Sequence, residues 1–437
     1  MRDRSPGTCP SHPASGAAGQ PPAQFPASRA SGPASGWLRA ATICAAIILP
    51  ATDAAALWDD KVELFVAETV TYDDNVFRIS GSLDPVTTIG SSSKADTYYT
   101  TSPGFKFDVA LGRQRFAGGV TWNFARYERF TVLDFDGHDG RAAWQWKVGN
   151  DWSGTLGYTD TLALASLENS RAGILTGTPN SLATRRGFFN AAYAITPRWR
   201  VQGEAGRLEQ DNGLAALTVN DIVINSGDLA VSYITPAGNQ LGVGARLEDG
   251  RYPNRPGGAV NLAGDAYRQY SVDLIAEYTM SGHSRVRARA GRVTRNHEQL
   301  SQRDFDEGTF NVTYDWRPTG MLTLSAVARR EVSPLDDTQS SFVLLKGVAL
   351  YPTLQLSEKV SAAVALEYSS RDYLNDPSLV LVGSRTDWLR VGGLKLTYRP
   401  VRSLTLEIGY LYQSRSSTIA FGDFEANIAT LSVRIGF

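Results

Sequence analysis

Arg285, Arg287 and Arg289 occupy alternate positions of one short segment, and Asp273 and Glu277 share one phase of the segment before it. In an extended chain, side chains two residues apart point the same way, so the three guanidinium groups line one face. A tight turn at 281–283 would set Glu277 near Arg285 and Asp273 near Arg289, where opposed charges stabilise cross-strand pairing. Such a set creates a field across a surface or a pore. Charges fall in the same kind of alternation at Lys106, Asp108, Lys147, Glu204, Arg246, Glu248, Arg329, Glu367, Lys395 and Glu407.

Other chemistry is thinly represented. His138, His283 and His297 are the histidines after the first 56 residues, and no His-x-x-x-His or Cys spacing points to a metal or any other cofactor. His283-Ser284 is a neighbour pair, but nucleophilic catalysis needs spatial adjacency and an orienting acid. The run Asp134-Phe135-Asp136-Gly137-His138-Asp139 and the pair Asp336-Asp337 read as solvated outer-loop charge, with divalent-cation or lipopolysaccharide contact as the functional alternative. Both cysteines, Cys9 and Cys44, lie before residue 57, so no disulfide framework is available beyond it. The net charge of −1 argues against a nucleic-acid partner held through phosphates.

The elements that must position these charges are strands. Phe105, Phe107, Val109 and Leu111 alternate with Lys106, Asp108 and Ala110; Phe116, Gly118, Val120, Trp122 and Phe124 follow on one face. The same period of two recurs at Leu241–Leu247, Leu322–Ala328, Val360–Tyr368 and Leu404–Tyr412. Short turns are expected near 112–114, 149–151, 196–198, 235–239, 281–283, 317–320, 352–358 and 399–402, several marked by proline or glycine. Between them lie longer polar segments such as Asp73–Asp96, Ser166–Ala183, Gly250–Asp265, Ser333–Ser341, Arg371–Arg385 and Ser414–Asp423. Eight short turns alternating with nine long loops predict an all-β chain, a transmembrane up-and-down antiparallel barrel of about 18 strands, or 16 if one pair is lost.

Hydropathy agrees with that solvent. No run of 18 or more apolar residues exists, which excludes membrane-spanning helices, and the mean hydropathy of −0.21 suits a barrel whose polar inner face offsets its apolar outer one. Trp146, Trp152, Tyr193, Trp199, Tyr233, Tyr278, Tyr314, Trp316, Tyr351 and Tyr398 flank the short turns and are expected to form a periplasmic aromatic girdle. The last strand alternates Leu431, Val433, Ile435 and Phe437 with Ser432 and Arg434, and must pair with the first strand around Lys61–Tyr72. A terminal Phe437 on such a strand resembles the tag read by the barrel-assembly machinery of the bacterial outer membrane.

Residues 1–56 divide from the rest. Arg39 precedes the apolar stretch Ala40–Leu49, and Ala54-Ala55-Ala56 offers a cleavage site, the layout of a secretory signal peptide. The Pro-, Ala-, Ser- and Gly-rich residues before it cannot build a core and read as a disordered leader or an over-long start. The barrel then occupies 57–437.

Thr71-Tyr72-Asp73-Asp74-Asn75-Val76-Phe77-Arg78 resembles the opening of a β-barrel porin family encoded with exopolysaccharide biosynthesis and exosortase systems of Gram-negative bacteria, the EpsL-like proteins. Ser102-Pro103-Gly104-Phe105 and the closing Phe437 fit the same pattern, whereas the long leader departs from it. The resemblance implies a role in exopolysaccharide export, with periplasmic polysaccharide-export components as partners beside outer-membrane lipid and lipopolysaccharide. It implies no catalytic residue. The residues themselves leave a small-solute diffusion porin, a barrel hydrolase and a structural surface protein open.

Overall fold

The computed structural model describes residues 61–167, 179–255, 266–298, 301–333, 342–374 and 385–437. The expected leader and signal peptide, and the pair Asp336-Asp337, lie outside the described residues. Each alternating segment is a strand: β1 Val62–Asp73, β2 Asp96–Leu111, β3 Gln114–Tyr127, β4 Phe135–Val148, β5 Trp152–Leu164, β6 Ser181–Ala194, β7 Trp199–Asn212, β8 Ile222–Ile234 and β9 Gln240–Arg251. The second half holds β10 Ala266–Ser281, β11 Ser284–His297, β12 Phe305–Trp316, β13 Leu322–Ser333, β14 Phe342–Gln355, β15 Val360–Leu374, β16 Arg385–Val401, β17 Leu404–Ser417 and β18 Phe424–Gly436. All 18 pair antiparallel with their sequence neighbours, and β1 pairs with β18. The barrel is closed, so no edge strand presents unpaired amides to lipid.

Register decides which way every side chain points, because directly opposed residues share a face. With Leu431, Val433 and Ile435 outward, Ser432 and Arg434 point inward and meet β1, where the Thr69 and Ser432 hydroxyls lie 2.9 Å apart and Arg434 pairs with Glu63. Carried strand by strand, the assignment returns to β1 without a conflict, as an even strand number requires. The outer face exposes Leu241, Val272, Leu274, Val348, Leu366 and Ile408. In water such a band would be an aggregation surface, and in a bilayer it is the lipid contact. Glu68 stands apart, facing outward opposite Val433, its carboxylate accepting the Thr101 hydroxyl at 2.7 Å.

Nine of the ten expected girdle residues face outward at the periplasmic ends of their strands, with Trp152 stacked on Tyr193 at 4.5 Å and Trp199 meeting Tyr233 edge-on at 5.3 Å. Tyr351 differs. Pro352 does not open a turn; it lies inside β14, the ladder to β15 skips it, and the turn is 356–359. With Val348 and Leu350 outward, Tyr351 faces the lumen and its hydroxyl donates to Glu367 at 2.6 Å. Similarly, β16 runs through Arg399-Pro400 with a bulge before its turn. The acidic run 134–139 is also not a loop: β4 starts at Phe135, Asp136 pairs with Arg126 at 2.6 Å, and His138 lies 3.5 Å from Asp160. A second outward aromatic tier, Trp122, Tyr270 and Tyr368, sits toward the extracellular side. Tyr270 and Tyr278 are eight residues apart on β10, about 20 Å along the normal for a strand tilted about 40°.

The Asp73–Arg78 motif closes the seam from above. Asp74 accepts the backbone and side-chain amides of Asn427 on β18 at 2.7 and 2.8 Å. The buried Asn75 side chain donates to the carbonyls of Ile79 (2.8 Å) and Glu425 (2.9 Å) and accepts from the Ile79 amide (3.1 Å). Arg78 adopts a left-handed φ of 55°, held by its ion pair with Asp73 at 2.7 Å. The loop thus folds over the rim and buries Val76, Phe77 and Ile79 against Phe130 and Leu133; a single-turn helix α1, Pro85–Ile89, follows. Asn75→Ala removes three bonds at a buried site, which costs about 1–3 kcal/mol for the groups left unpaired. It should lower the temperature at which the folded barrel's fast gel migration is lost; an unchanged midpoint would contradict the seam assignment.

Candidate functional site

All fifteen charged residues expected to line the lumen lie on the inward face: Lys106 and Asp108 on β2, Lys147 on β4, Glu204 on β7, Arg246 and Glu248 on β9, Asp273 and Glu277 on β10, and Arg285, Arg287 and Arg289 on β11. Arg329, Glu367, Lys395 and Glu407 complete the set on β13, β15, β16 and β17. The β10–β11 hairpin makes both expected contacts, Arg289 to Asp273 at 2.7 Å and Arg285 to Glu277 at 3.4 Å. Arg287 turns the other way and pairs with Asp315 on β12 at 2.7 Å.

The longest network runs along β8–β11. Arg246 lies between Asp228 and Glu248, each at 2.7 Å; Glu248 accepts from Gln269 at 2.7 Å, and Arg295 donates to the Gln269 carbonyl oxygen at 2.7 and 3.0 Å. Glu204 takes Arg186 at 3.0 Å, Lys395 lies 3.5 Å from Glu407, and Arg329 lies 3.6 Å from Glu331. Exposed pairs of this kind contribute at most about 1 kcal/mol each. The half-buried Asp228–Arg246–Glu248 set matters more, since removing its arginine strands two acids. Asp228, Arg186, Asp315, Arg115 and Arg141 also face inward, although the sequence pattern does not single them out, because their facing follows from the register with the neighbouring strand.

Burial divides the lumen into two halves. Toward the periplasm the long charged side chains are solvated, Arg285 being 50% and Arg287 47% exposed, whereas the inward Phe65, Ser232 and Thr397 are covered by their neighbours. Toward the outside the inward side chains are covered, with Thr71 and Ile428 at 1% and Asp387 at 0%. Asp387 is held by Arg385 (2.9 Å), Ser417 (2.6 Å) and Tyr373 (3.2 Å), and Arg295 lies over the buried Tyr267 ring at 3.9 Å. The covering comes from loops tied to one another. Asn180 donates to Asn212, which donates to Asp221, whose other oxygen accepts Asn254. The 74–95 loop folds in on the β18 side, where the Arg78 guanidinium lies 6.0 Å from the Phe424 ring.

The His283-Ser284 pair is not assembled as a nucleophile and base. The Ser284 hydroxyl donates to Tyr314 at 3.0 Å on the outer face, while the His283 amide binds Ser281.

The family model described as "Putative beta-barrel porin 2" matches residues 276–437, the part that contains β11–β18. Solved structures with similar barrels include OccK2 (OpdF) of Pseudomonas aeruginosa, 11% identical over 86% of this chain and 98% of that one, with a TM-score of 0.48. OpdK of the same organism, in a structure with vanillate, is 13% identical over 86% and 99%, TM-score 0.45. A BenF-like porin of Pseudomonas fluorescens Pf-5 is 11% identical over 86% and 98%, TM-score 0.46. No curated protein matches the sequence. The chain is a porin-like β-barrel of the bacterial outer membrane.

The facing assignment is open to direct chemical test, since residues 57–437 contain no cysteine. Cysteine at Lys395 or Tyr351 should react with a charged, water-soluble thiol reagent in proteoliposomes. Cysteine at Leu274 or Val348 should react with a lipid-soluble maleimide alone. A Tyr351→Cys variant that behaves like Leu274→Cys would reverse the placement of β14.

Proposed function

We propose that the barrel is a passive diffusion porin for small polar solutes. The observation that carries this reading is the periplasmic half of the lumen, with its exposed, ion-paired side chains, leading to an extracellular half covered by buried side chains and in-folded loops. Barrels of 16–18 strands enclose an aqueous channel unless loops fold in. Here the loop after β1 does fold in, which favours solutes of one or two rings over a polymer chain. The exopolysaccharide export implied by the opening motif draws no support from this arrangement: that motif's side chains are occupied in holding the seam and the rim.

The same reading takes lipopolysaccharide as the outer-leaflet partner, supported by outward ion pairs above the lipid band, Arg126–Asp136 at 2.6 Å and Arg292–Asp306 at 2.5 Å. It takes the assembly machinery as the reader of Phe437, whose amide donates to Leu64 of β1 at 2.8 Å.

Purified protein in planar bilayers should give discrete conductance steps, and liposomes carrying it should swell in monosaccharides and disaccharides. Long exopolysaccharide added to either side should leave the current unchanged. Absence of conductance, or block by polysaccharide together with exclusion of monosaccharides, would overturn the proposal in favour of a closed surface protein or an export channel respectively.

A further inference from the structure

Around most of the lumen each cation has its acid, and the wall from β2 to β7 departs from that rule. Lys106, Arg141, Lys147 and Arg200 face inward, and among the described residues none forms an ion pair with a carboxylate. The acids nearby are already engaged. Glu63 pairs with Arg434, Asp108 accepts from Arg115 at 2.7 Å, and Asp139 takes the Thr161 hydroxyl at 3.2 Å. Lys106 rests 5.1 Å from the Phe65 ring and lies within electrostatic reach of both Arg434 and Arg141, with Glu63 the one acid acting on it.

The register lines these groups up. Glu63, Lys106, Gly119, Arg141, Thr159 and Arg186 are directly opposed in turn across β1–β6, forming one continuous row on the inner wall. Cations stand on alternate strands, separated by small side chains. With strands about 4.8 Å apart, the Lys106 and Arg141 backbones are about 10 Å from each other, within converging reach of two long side chains. Gly119 keeps the space between them clear. A Cβ there would come within 2.5 Å of the Phe105 carbonyl oxygen and 3.2 Å of the Lys106 side chain. A recess of about 440 Å³ opens on this wall, its lining including Lys106, Arg141 and Thr159 together with the two already paired acids Glu63 and Asp108.

We propose that this row is an anion-binding station: Lys106 and Arg141 together hold a small oxyanion, the carboxylate or phosphate group of a passing solute, in the notch beside Gly119. The inference rests on the diffusion-pore reading and adds its charge preference. Unpaired charges on a low-dielectric wall focus the field and raise the local concentration of the opposite ion. Salt screens this over about 10 Å at 0.1 M, so the preference should fade as ionic strength rises.

Reversal potentials across a potassium chloride gradient test it. The unaltered protein should pass chloride on the order of tenfold more readily than potassium, the lower end of what such focusing gives. Lys106→Gln with Arg141→Gln should lose most of that preference, and Lys106→Glu with Arg141→Glu should invert it. Added potassium acetate and potassium phosphate, in separate arms, should lower chloride current in the unaltered protein and not in the double glutamine variant; the arm that acts identifies the group held. A neutral or cation-preferring unaltered pore overturns the proposal, as does a reversal potential that the substitutions leave in place. Should the double variants fail to fold, the unaltered protein and Lys106→Gln alone decide it. Loss of all conductance in the unaltered protein would instead strike the diffusion-pore reading.

Discussion

A strand in hydrocarbon has no water to satisfy its amides and carbonyls, and everything else in this molecule follows from that requirement. It forces closure, and closure with every pair antiparallel, β1 against β18 included, goes with an even strand number and both ends of the barrel wall on the same side. The β1–β18 contact is therefore the joint on which the rest depends. It is doubly secured, by the Thr69–Ser432 and Glu63–Arg434 contacts inside the lumen and by the Asp74–Asn427 and Asn75–Glu425 bonds at the rim. Once closed, register propagates a single inward–outward assignment around the wall, which turns a linear pattern of charge into a lumen.

The lumen's character comes from how those charges are matched. Along β8–β13 acids and bases alternate between neighbouring strands and neutralise one another through networks such as Asp228–Arg246–Glu248. Along β2–β7 the Asp108–Arg115 and Arg186–Glu204 pairs persist, but among the described residues Lys106, Arg141, Lys147 and Arg200 have no carboxylate partner, and the small residues Gly119 and Thr159 leave Lys106 and Arg141 open to what enters. A paired wall facing an unpaired one gives the pore a direction of attraction. The covering of the extracellular half then brings solutes close to that wall.

Much of the fold was legible because a membrane strand must alternate and a short periplasmic turn must break it. The turns at 112–113, 149–151, 235–239 and 282–283 carry Gly or Pro chemistry in the expected places, and the aromatics beside them fall at the interface. Tyr351 misled for a definite reason: Pro352 signals a turn locally, yet it is tolerated inside β14 where the ladder to β15 is interrupted, and one residue of phase moves a ring from lipid to lumen. The run at 134–139 misled because charge within a strand end looks like loop charge; here it extends β4 above the lipid. Pairing was legible only within one hairpin, as for Asp273 and Arg289. The Arg287–Asp315 contact and the unpaired state of Arg141 depend on the next strand's register, which no local pattern encodes. The inward fold of the 74–95 loop depends on side-chain bonds to β18, more than 300 residues away.

A periplasmic half with solvated charged side chains opens into a covered extracellular half. Single-channel current recorded while neutral polymers of graded size are added first to one side and then to the other tests this arrangement most directly. Larger polymers should enter and lower the current from the periplasmic side than from the extracellular side. Equal size limits from both sides, or a wider limit from outside, would contradict it.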